Sequence, residues 1–294
     1  MKLTNEQLTK LCERAKVAAL EAGTYIQSQF DQEYETQGKV GGDSFASQVV
    51  TEVDFKAQEI ILNHLMSSIQ TYDLGLLTEE SADDNSRLEK DYFWCVDPMD
   101  GTLPFTVRRT GYAVSIALVA HEGFPVIGVV YIPDLNQCYS SIKGAGVSLN
   151  EERMELVGAA DQTTLHWYMD RSFQSEPYYQ QVVNQMMQYF NTHEVVIHAD
   201  FGGVRNAIGV ITSGNGCYFK FPKKRNGCGS IWDYAATRLF FEELGLHVTN
   251  ARGDELHLND SSSTFMNTQG IVYATDSNLF QLIKEVESLT NQFD

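Results

Sequence analysis

Two aspartates, Asp97 and Asp100, lie at the end of an apolar run and are separated by a proline and a methionine. Aspartate, proline and glycine are common in turns, so the segment 97–102 (DPMDGT) is also explained by a structural turn. Carboxylates held at this spacing by a stiff turn are, however, able to bind two hard cations side by side, because Mg²⁺ prefers oxygen ligands. The backbone N–H groups of Gly101 and Thr102 would then be able to meet a phosphate oxygen.

Further acidic positions have the same ambiguity between structure and chemistry. Glu79 and Glu80 follow an apolar stretch. The pair is explained equally well by a solvated surface and by a strand end that points into a site. Asp233 opens the strongest predicted helix, three residues after Ser230, where a carboxylate is stabilised by the helix dipole and completes an N-terminal cap. Asp54 is predicted at a helix start in the same way. Capping alone explains both aspartates unless their carboxylates have second partners.

The balance of charge restricts the classes of partner. The chain of 294 residues carries 39 acidic and 21 basic residues, a formal net charge of −18. Such a field repels nucleic-acid backbones and anionic membranes, so we expect neither a nucleic-acid polymer nor a membrane as a partner. It also repels a phosphorylated substrate unless bound cations invert the local potential, which makes metal binding a natural expectation.

Composition and cysteine usage indicate the cellular setting. With 43% hydrophobic and 20% charged residues, the chain has the composition of a globular protein with a large core. The five cysteines never form a C-x-x-C pair, so neither a disulfide framework nor a zinc site is predicted. Without a signal peptide or an apolar run of about 20 residues, a cytoplasmic location is expected. The sequence does not reveal the oligomeric state, and a homodimer is compatible with it.

Helices and antiparallel strands alternate in the predicted elements, which favours a layered α/β (α+β) structure. A capping box formed by Thr4 and Gln7 begins an amphipathic helix that Gly23 is predicted to end. Apolar runs at 112–120 and 125–132, separated by a short segment that contains glycine, predict a β-hairpin.

The second half of the chain has fewer clear patterns. Residues 204–220 show no clean period, whereas a helix over 230–244, ended by Gly245, is strongly predicted. We expect an N-terminal half, residues 1–160, with most of the acidic positions. The C-terminal half, residues 161–294, would hold the last acidic position and the substrate pocket. No repeat or flexible linker separates them, so they are predicted to form one continuous structural unit.

Four motifs occur in the order and at the spacing of the inositol monophosphatase superfamily of Mg²⁺-dependent, lithium-sensitive phosphatases, which the chain resembles over nearly its whole length. They are residues 51–54 (TEVD), 78–81 (TEES), 97–102 (DPMDGT) with Phe105, and 232–236 (WDYAA). One such motif alone is weak support, but four in order rarely arise by chance. The resemblance implies the layered αβαβα sandwich of the sugar and inositol phosphatases.

The resemblance also implies a metal site of two to three Mg²⁺ ions. Its ligands would be Glu79, Asp97, the main-chain carbonyl of Met99, Asp100 and Asp233. Such ions neutralise phosphate charge and lower the pKa of a bound water from about 15.7 towards about 7, so no histidine base is needed. None of the seven histidines lies in the four motifs.

Catalytic roles follow from the same resemblance. Asp54, Thr102 and Glu79 would be the catalytic residues, with the Thr102 hydroxyl near Asp54 to orient and deprotonate the attacking water. The backbone at Gly101 and Thr102 would hold the phosphate. The resemblance also implies that Glu80 and Thr51 contact the metal ligands and catalytic residues without binding metal or substrate themselves.

Within the superfamily, residues 92–140 and 230–236 (SIWDYAA) look most similar to bacterial 3'(2'),5'-bisphosphate nucleotidases of the CysQ type. Their typical substrate is 3'-phosphoadenosine 5'-phosphate, a by-product of sulfate assimilation, and the products would be AMP and phosphate. The chain has Leu103-Pro104 where these nucleotidases commonly have a basic residue, and Thr237 where they commonly have glycine. These departures concern substrate contacts and not metal ligands.

The most basic run of the chain, residues 220–225 (KFPKKR), precedes the last motif. It fits a solvated loop and a substrate-binding loop equally well. In the second interpretation a basic side chain would meet a second phosphate. The candidates for substrate contact are Lys223, Lys224, Arg225 and Ser230, with Arg171, Ser172 and Arg205 as weaker ones.

Two other functions stay open. An inositol or sugar monophosphatase would keep the metal site and differ in its substrate, and relative rates on the two substrates would separate these cases. A protein that binds a phosphorylated ligand or a partner without catalysis is disfavoured, because every expected carboxylate is present. Turnover that depends on Mg²⁺ would exclude it.

Overall fold

The computed structural model describes residues 2–30, 45–156, 164–189, 194–224 and 229–290. The helices in these ranges are α1 (Asn5–Phe30), α2 (Phe45–Tyr72), α3 (Thr102–Thr106), α4 (Tyr179–Tyr189), α5 (Gly203–Ser213), α6 (Ile231–Leu244) and α7 (Ser277–Thr290). The strands are β1 (Gly75–Thr78), β2 (Tyr92–Asp100), β3 (Ala113–Ala120), β4 (Pro125–Ile132), β5 (Gln137–Ile142), β6 (Val147–Leu149), β7 (Glu152–Arg153), β8 (Thr164–Tyr168), β9 (Glu194–His198), β10 (Gly216–Lys220), β11 (His247–Thr249) and β12 (Ile271–Ala274).

The strands form two sheets, each with a parallel part. The first has the order β1-β2-β3-β4-β5-β6-β7, in which β1 and β2 are parallel and the later pairs antiparallel. The second has the order β11-β12-β10-β8-β9, in which β8 runs parallel to both β10 and β9. The carboxyl ends of neighbouring parallel strands lie at one edge of a sheet, where ligands commonly bind.

Five layers result, in the order α-β-α-β-α. Helices α1 and α2 cover one face of the first sheet, α5 and α6 lie between the sheets, and α4 and α7 cover the far face of the second. In β2, Phe93 and Cys95 face the core between the sheets, whereas Trp94 and Val96 face α1 and α2. A strand buried on both faces is apolar throughout. The layered αβαβα prediction is confirmed.

The N-terminal helix begins as predicted but does not end at Gly23. Thr4 N donates to Gln7 Oε1 at 2.8 Å, and Gln7 N donates to Thr4 Oγ1 at 3.3 Å, so the capping box is confirmed. However, α1 continues to Phe30, and a Cβ at Gly23 would overlap the ring of Tyr131 in β4. The glycine therefore permits close packing of α1 on the sheet and does not end the helix.

A second boundary correction concerns Asp54. Helix α2 begins at Phe45, so Asp54 lies in its interior and not at its start. The prediction that Asp54 caps a helix is therefore wrong, and its buried carboxylate needs another explanation.

Other element predictions are confirmed. The hairpin consists of β3 and β4, and α6 ends at Gly245, which has a φ of 69°. The region 204–220 without a clean period holds α5 and β10, separated by two residues. A boundary between halves at residue 160 falls in 157–163, outside the described residues, and stays a prediction. None of the described helices meets the length and hydropathy that crossing a membrane requires.

Candidate active site

Asp97 and Asp100 come from the carboxyl end of β2, where the pairing with β3 shifts. Asp97 lies opposite Ser115 and Asp100 opposite Ala113, so β2 contains one extra residue over this stretch. Residues three apart in a regular strand point to opposite faces, and a bulge changes this. Together with Asp233, the two aspartates form a cluster in which one carboxylate oxygen from each lies within 4.8 Å of the others.

The carboxylate of Asp100 also caps the N-terminus of α5. Gly203 N donates to its Oδ1 and Val204 N to its Oδ2, each at 2.9 Å. A Cβ at Gly202 would overlap this carboxylate, so only glycine fits there. The local sequence around Gly202, Gly203 and Val204 does not by itself predict this contact with Asp100. The two adjacent glycines before an apolar segment were the signal that could have indicated a close approach.

Asp233 is both a helix cap and a member of the acidic cluster. Its Oδ2 accepts a hydrogen bond from Ser230 N at 2.9 Å. At Gly229, which has a φ of 74°, a Cβ would overlap the same carboxylate. The structural and chemical interpretations of Asp233 are therefore both correct. Ser230 is buried behind it, and a contact of Ser230 with substrate stays a prediction.

Glu79 follows β1, next to the end of the parallel strand β2. Its backbone N–H donates to Val96 O at 3.2 Å, and its side chain forms a hydrogen bond with Asp97. Glu79 is exposed to solvent on one side, and protein atoms surround the rest of its side chain closely enough to desolvate the carboxylate. Burial raises the Glu79 pKa to about 7, the Asp97 hydrogen bond opposes this, and the charges of Asp233 and Glu80 add to it. Glu79 therefore points into the site.

Glu80 and Asp54 face the same region from the loop after β1 and from α2. Gln58 in α2 holds this loop, because its Oε1 accepts a hydrogen bond from Glu80 N at 3.3 Å and its Nε2 donates to Ser81 Oγ at 2.9 Å. Asp54 is 5% exposed, and burial, followed by the charges of Glu80 and Glu79, raises its pKa to about 8. Asp54 is therefore able to hold a proton near neutral pH.

The end of β2 carries Met99, and the turn after it carries Gly101 and Thr102. The Thr102 hydroxyl donates to the main-chain carbonyl of Met99 at 3.2 Å. Gly101 has a φ of 90° and precedes α3, and a Cβ there would contact the backbone of Gly111. The pairing of the Thr102 hydroxyl with Asp54 stays a prediction. The side chain of Thr51 lies outside the described part of the structure.

The cluster opens into a cleft of about 340 Å³, which Asp100, Gly101 and Asp233 line. Three parallel strands of the second sheet also end at this cleft. The ends of β8, β9 and β10 and the residues just after them supply six of its lining residues: Asp170, Arg171, Ser172, Asp200, Phe201 and Lys220. Leu103 and Pro104 of α3 and Val107, which follows it, also line the cleft. The sheet edge therefore determines where the substrate side of the site lies.

Lys220 is a buried cation that the sequence analysis did not single out. Its Nζ lies 2.5 Å from Asp170 Oδ2 and over the rings of Tyr218 and Tyr234, at 5.6 and 5.5 Å from their centres. Burial lowers its pKa, but the charges of Asp170, Tyr234 and Asp233 outweigh this, and the pKa lies well above its usual value. Lys220 is therefore a fixed positive charge at the base of the cleft.

After Lys220, the described lysines of the basic run, Lys223 and Lys224, do not line this cleft. Lys223 Nζ lies 3.5 Å from Glu176 Oε1 and lines a smaller depression, which shares Asp170, Ser172 and Lys220 with the main cleft. Lys224 is exposed. Arg225 lies outside the described residues. Arg205 is buried and binds Asp134 Oδ1 at 2.7 Å. The role of Lys223, Lys224 and Arg225 in substrate binding stays a prediction.

The charges of the acidic cluster are only partly balanced by protein groups. Burial is the main cause that raises the pKa of Asp97, Asp100 and Asp233, and repulsion from neighbouring carboxylates adds to it. The N–H groups of α5 oppose the shift at Asp100, and Lys220 opposes it at Asp233. Three oxygen donors within 4.8 Å of one another, two from buried side chains and one from a partly buried side chain, fit a hard divalent cation.

Comparison with known proteins finds relatives along most of the chain. The family model described as the inositol monophosphatase family matches residues 6–291. The Nus factor SuhB of Escherichia coli strain K12 is 29% identical over 241 residues, which cover 80% of this chain and 83% of SuhB. The fructose-1,6-bisphosphatase/inositol-1-monophosphatase of Aquifex aeolicus is 32% identical over 152 residues, 51% of this chain and 54% of that protein.

Solved structures have the same fold. A crystal structure of the staphylococcal IMPase-II with 2'-AMP bound matches with a TM-score of 0.73 at 19% identity, covering 97% of this chain and 96% of that chain. Another structure of the staphylococcal IMPase-II holds inositol monophosphate and matches with a TM-score of 0.71, at 19% identity and the same coverage.

Proposed function

Because the chain belongs to the inositol monophosphatase family, whose members are phosphomonoester hydrolases, we propose that it hydrolyses the 3'-phosphate of 3'-phosphoadenosine 5'-phosphate with the help of Mg²⁺. The observation that carries the proposal is the cluster of Asp97, Asp100 and Asp233, two of which line a cleft of about 340 Å³. Sites for small molecules commonly measure about 300–1,000 Å³.

The walls of the cleft support a nucleotide as the substrate. Leu103 and Val107 are 58% and 48% exposed, although both are apolar. A nucleobase has apolar faces that can cover such a wall, whereas every ring carbon of inositol carries an oxygen. The proposal places the chain among CysQ-type nucleotidases, with a role in sulfur metabolism in the cytoplasm.

The acidic residues and one carbonyl would hold the metal in this proposal. The ligands are Glu79, Asp97, the carbonyl of Met99, Asp100 and Asp233, for two to three Mg²⁺ ions. Bound Mg²⁺ would neutralise phosphate charge and lower the pKa of water. The remaining residues bind and orient: the amides of Gly101 and Thr102 hold the phosphate, and the loop around Glu80 supports the site.

Hydrolysis then requires one bond to form and one to break. The oxygen of water forms a bond to phosphorus while the bond from phosphorus to the 3'-oxygen breaks. Asp54 accepts a proton of the water through Thr102 when its carboxylate is ionised, and because burial raises its pKa to about 8, the ionised fraction grows as pH rises towards 8. The leaving 3'-oxygen takes a proton from solvent. Phosphate and AMP are the products.

The test is phosphate release with and without Mg²⁺ from 3'-phosphoadenosine 5'-phosphate and from inositol 1-phosphate. We expect turnover that depends on Mg²⁺ and prefers the nucleotide. Asp97→Asn should reduce kcat by about a thousandfold or more, equal to about 4 kcal/mol of barrier. Asp73→Asn, at a position whose side chain is 82% exposed, is the matched control and should leave kcat unchanged. Turnover in Asp97→Asn near that of the control would contradict the metal assignment.

An inositol or sugar monophosphatase is the second candidate, since the staphylococcal structure with inositol monophosphate shows that this fold is compatible with such a ligand. A preference for inositol 1-phosphate would keep the metal site and reject the nucleotide. Absence of turnover on both compounds would favour a protein that binds a phosphorylated ligand without catalysis.

A further inference from the structure

Three residues that line the cleft form an ionic link. Asp200 Oδ1 accepts hydrogen bonds from Arg109 Nη1 at 3.1 Å and from Arg171 Nη2 at 2.6 Å. All three residues line the cleft that Asp100 and Asp233 also line. Two guanidinium groups against one carboxylate leave one positive charge in excess, in a protein whose formal net charge is −18.

The backbone brings these residues together from three places in the sequence. Arg171 follows β8 and Asp200 follows β9, and these strands are parallel neighbours whose carboxyl ends lie side by side. Arg109 comes from the segment between α3 and β3. Gly202 N donates to Gly111 O at 2.9 Å and holds this segment against the segment that follows β9.

The link is poorly suited to a purely structural role. The side chains of Arg109, Arg171 and Asp200 are 58%, 53% and 55% exposed. Ion pairs this exposed contribute little to stability, because water and salt screen them. Two arginines that converge on one oxygen are, in contrast, typical of sites that recognise phosphate, since each guanidinium offers several donors in one plane.

Other cations near the acidic cluster are more strongly occupied by protein partners. Lys220 is buried against Asp170 at 2.5 Å. Lys223 pairs with Glu176 and lines only the smaller depression. Arg109 and Arg171 therefore offer exposed donors in the cleft itself, with an acceptor that a ligand can replace.

We propose that Arg109 and Arg171 bind a second anionic group of the substrate, which is not hydrolysed, and that Asp200 takes the place of this group in the free protein. The proposal rests on the proposed function for the reaction and adds the site that would hold the 5'-phosphate. Leu103 and Val107, on the same wall as Arg109, would contact the apolar part between the two phosphates.

Calorimetric binding of AMP and of adenosine, with Mg²⁺ present, tests the site without catalysis. The wild type should bind AMP at least about tenfold more tightly than adenosine, because only AMP carries the phosphate. The double variant Arg109→Gln with Arg171→Gln should lose this difference, and Asp200→Asn should increase it. Arg252→Gln, at an exposed position away from the cleft, is the matched control and should leave it unchanged.

Equal binding of AMP and adenosine by the wild type would overturn the proposal, as would an unchanged difference in the double variant. Thermal unfolding checks that the variants are folded. We expect them to be folded, because the substituted side chains are exposed.

Kinetics provide the second readout. In the double variant, KM for 3'-phosphoadenosine 5'-phosphate should rise at least about tenfold more than KM for adenosine 3'-monophosphate, which lacks the second phosphate. Equal rises would assign the arginines to the hydrolysed phosphate and overturn the proposal. A wild type that hydrolyses neither nucleotide would refute the proposed function, and the calorimetric result would still decide the anion site.

Discussion

Lys220 places a positive charge near two carboxylates from different parts of the chain, Asp170 and Asp233. It contacts Asp170 directly, and its charge opposes the rise in the pKa of Asp233. Tyr218 also donates to Asp170 at 2.9 Å and Asn206 at 3.5 Å, so this partly buried carboxylate has three partners. Removing one member of a buried charge pair leaves the other without compensation, which costs much more than the pair itself contributes.

We therefore predict that Lys220→Met lowers the free energy of unfolding by up to about 3 kcal/mol, the lower limit for loss of one partner of a buried ion pair, because the Asp170 side chain is 30% exposed and keeps other partners. Urea denaturation at neutral pH measures the change. Lys220→Arg keeps the positive charge and is the matched control, with a smaller loss expected. Equal losses in both variants would mean that the site is sensitive to packing and not to charge.

At the scale of elements, the start of α5 positions Asp100 as much as β2 does. The helix offers two N–H groups to the carboxylate, and Gly202 leaves the space that the carboxylate occupies. Gly202 has a φ of −68°, which any residue adopts, so its requirement is purely steric. The contact between α5 and the end of β2 is therefore an element contact on which the acidic cluster depends.

Gly202→Ala tests this contact. The added methyl group should displace the Asp100 carboxylate, reduce kcat about tenfold or more, and cost about 1–3 kcal/mol of stability, as overpacking commonly does. Steady-state kinetics at saturating Mg²⁺ and thermal unfolding measure both effects. At Gly203, a Cβ would meet its nearest neighbour at 3.3 Å, so Gly203→Ala should lose far less. Similar losses in both variants would contradict the steric argument.

At the scale of the whole molecule, the buried acids and the net charge of −18 both make ionisation of further carboxyl groups unfavourable in the folded state. Burial and neighbouring charges raise the pKa of Asp54 to about 8 and of Glu79 to about 7. A folded state that binds more protons than the unfolded state loses stability as pH rises. These groups therefore stabilise the metal-free fold fully only below their unfolded pKa values, and this contribution is lost as pH rises to about 8.

Asp54→Asn should accordingly stabilise the metal-free protein by an amount that grows between pH 5 and pH 8, by up to about 1.4 kcal/mol per pH unit. Chemical denaturation in EDTA across this range measures the difference from the wild type. With excess Mg²⁺ the difference should shrink, because a bound cation stabilises the ionised carboxylates. Asp73→Asn is the matched control, and a pH-independent gain in Asp54→Asn would contradict the assigned cause.

The sequence by itself determined the features that depend on local pattern. Apolar runs identified the two strands of the hairpin, the capping box identified the start of a helix and Gly245 the end of another, because these signals lie within a few residues. The order of four acidic motifs indicated the family and the layered fold. Asp97, Asp100 and Asp233 were recognised in this way before their proximity was known.

Only the tertiary structure decided what depends on neighbours distant in sequence. Gly23 packs against Tyr131 and Asp54 lies inside a helix, although each also fitted a helix terminus locally. Lys220 and Asp200 reach one cleft because sheet order places the carboxyl ends of β8, β9 and β10 side by side. Strand order arises from long-range packing, so no local spacing of residues could have predicted that convergence.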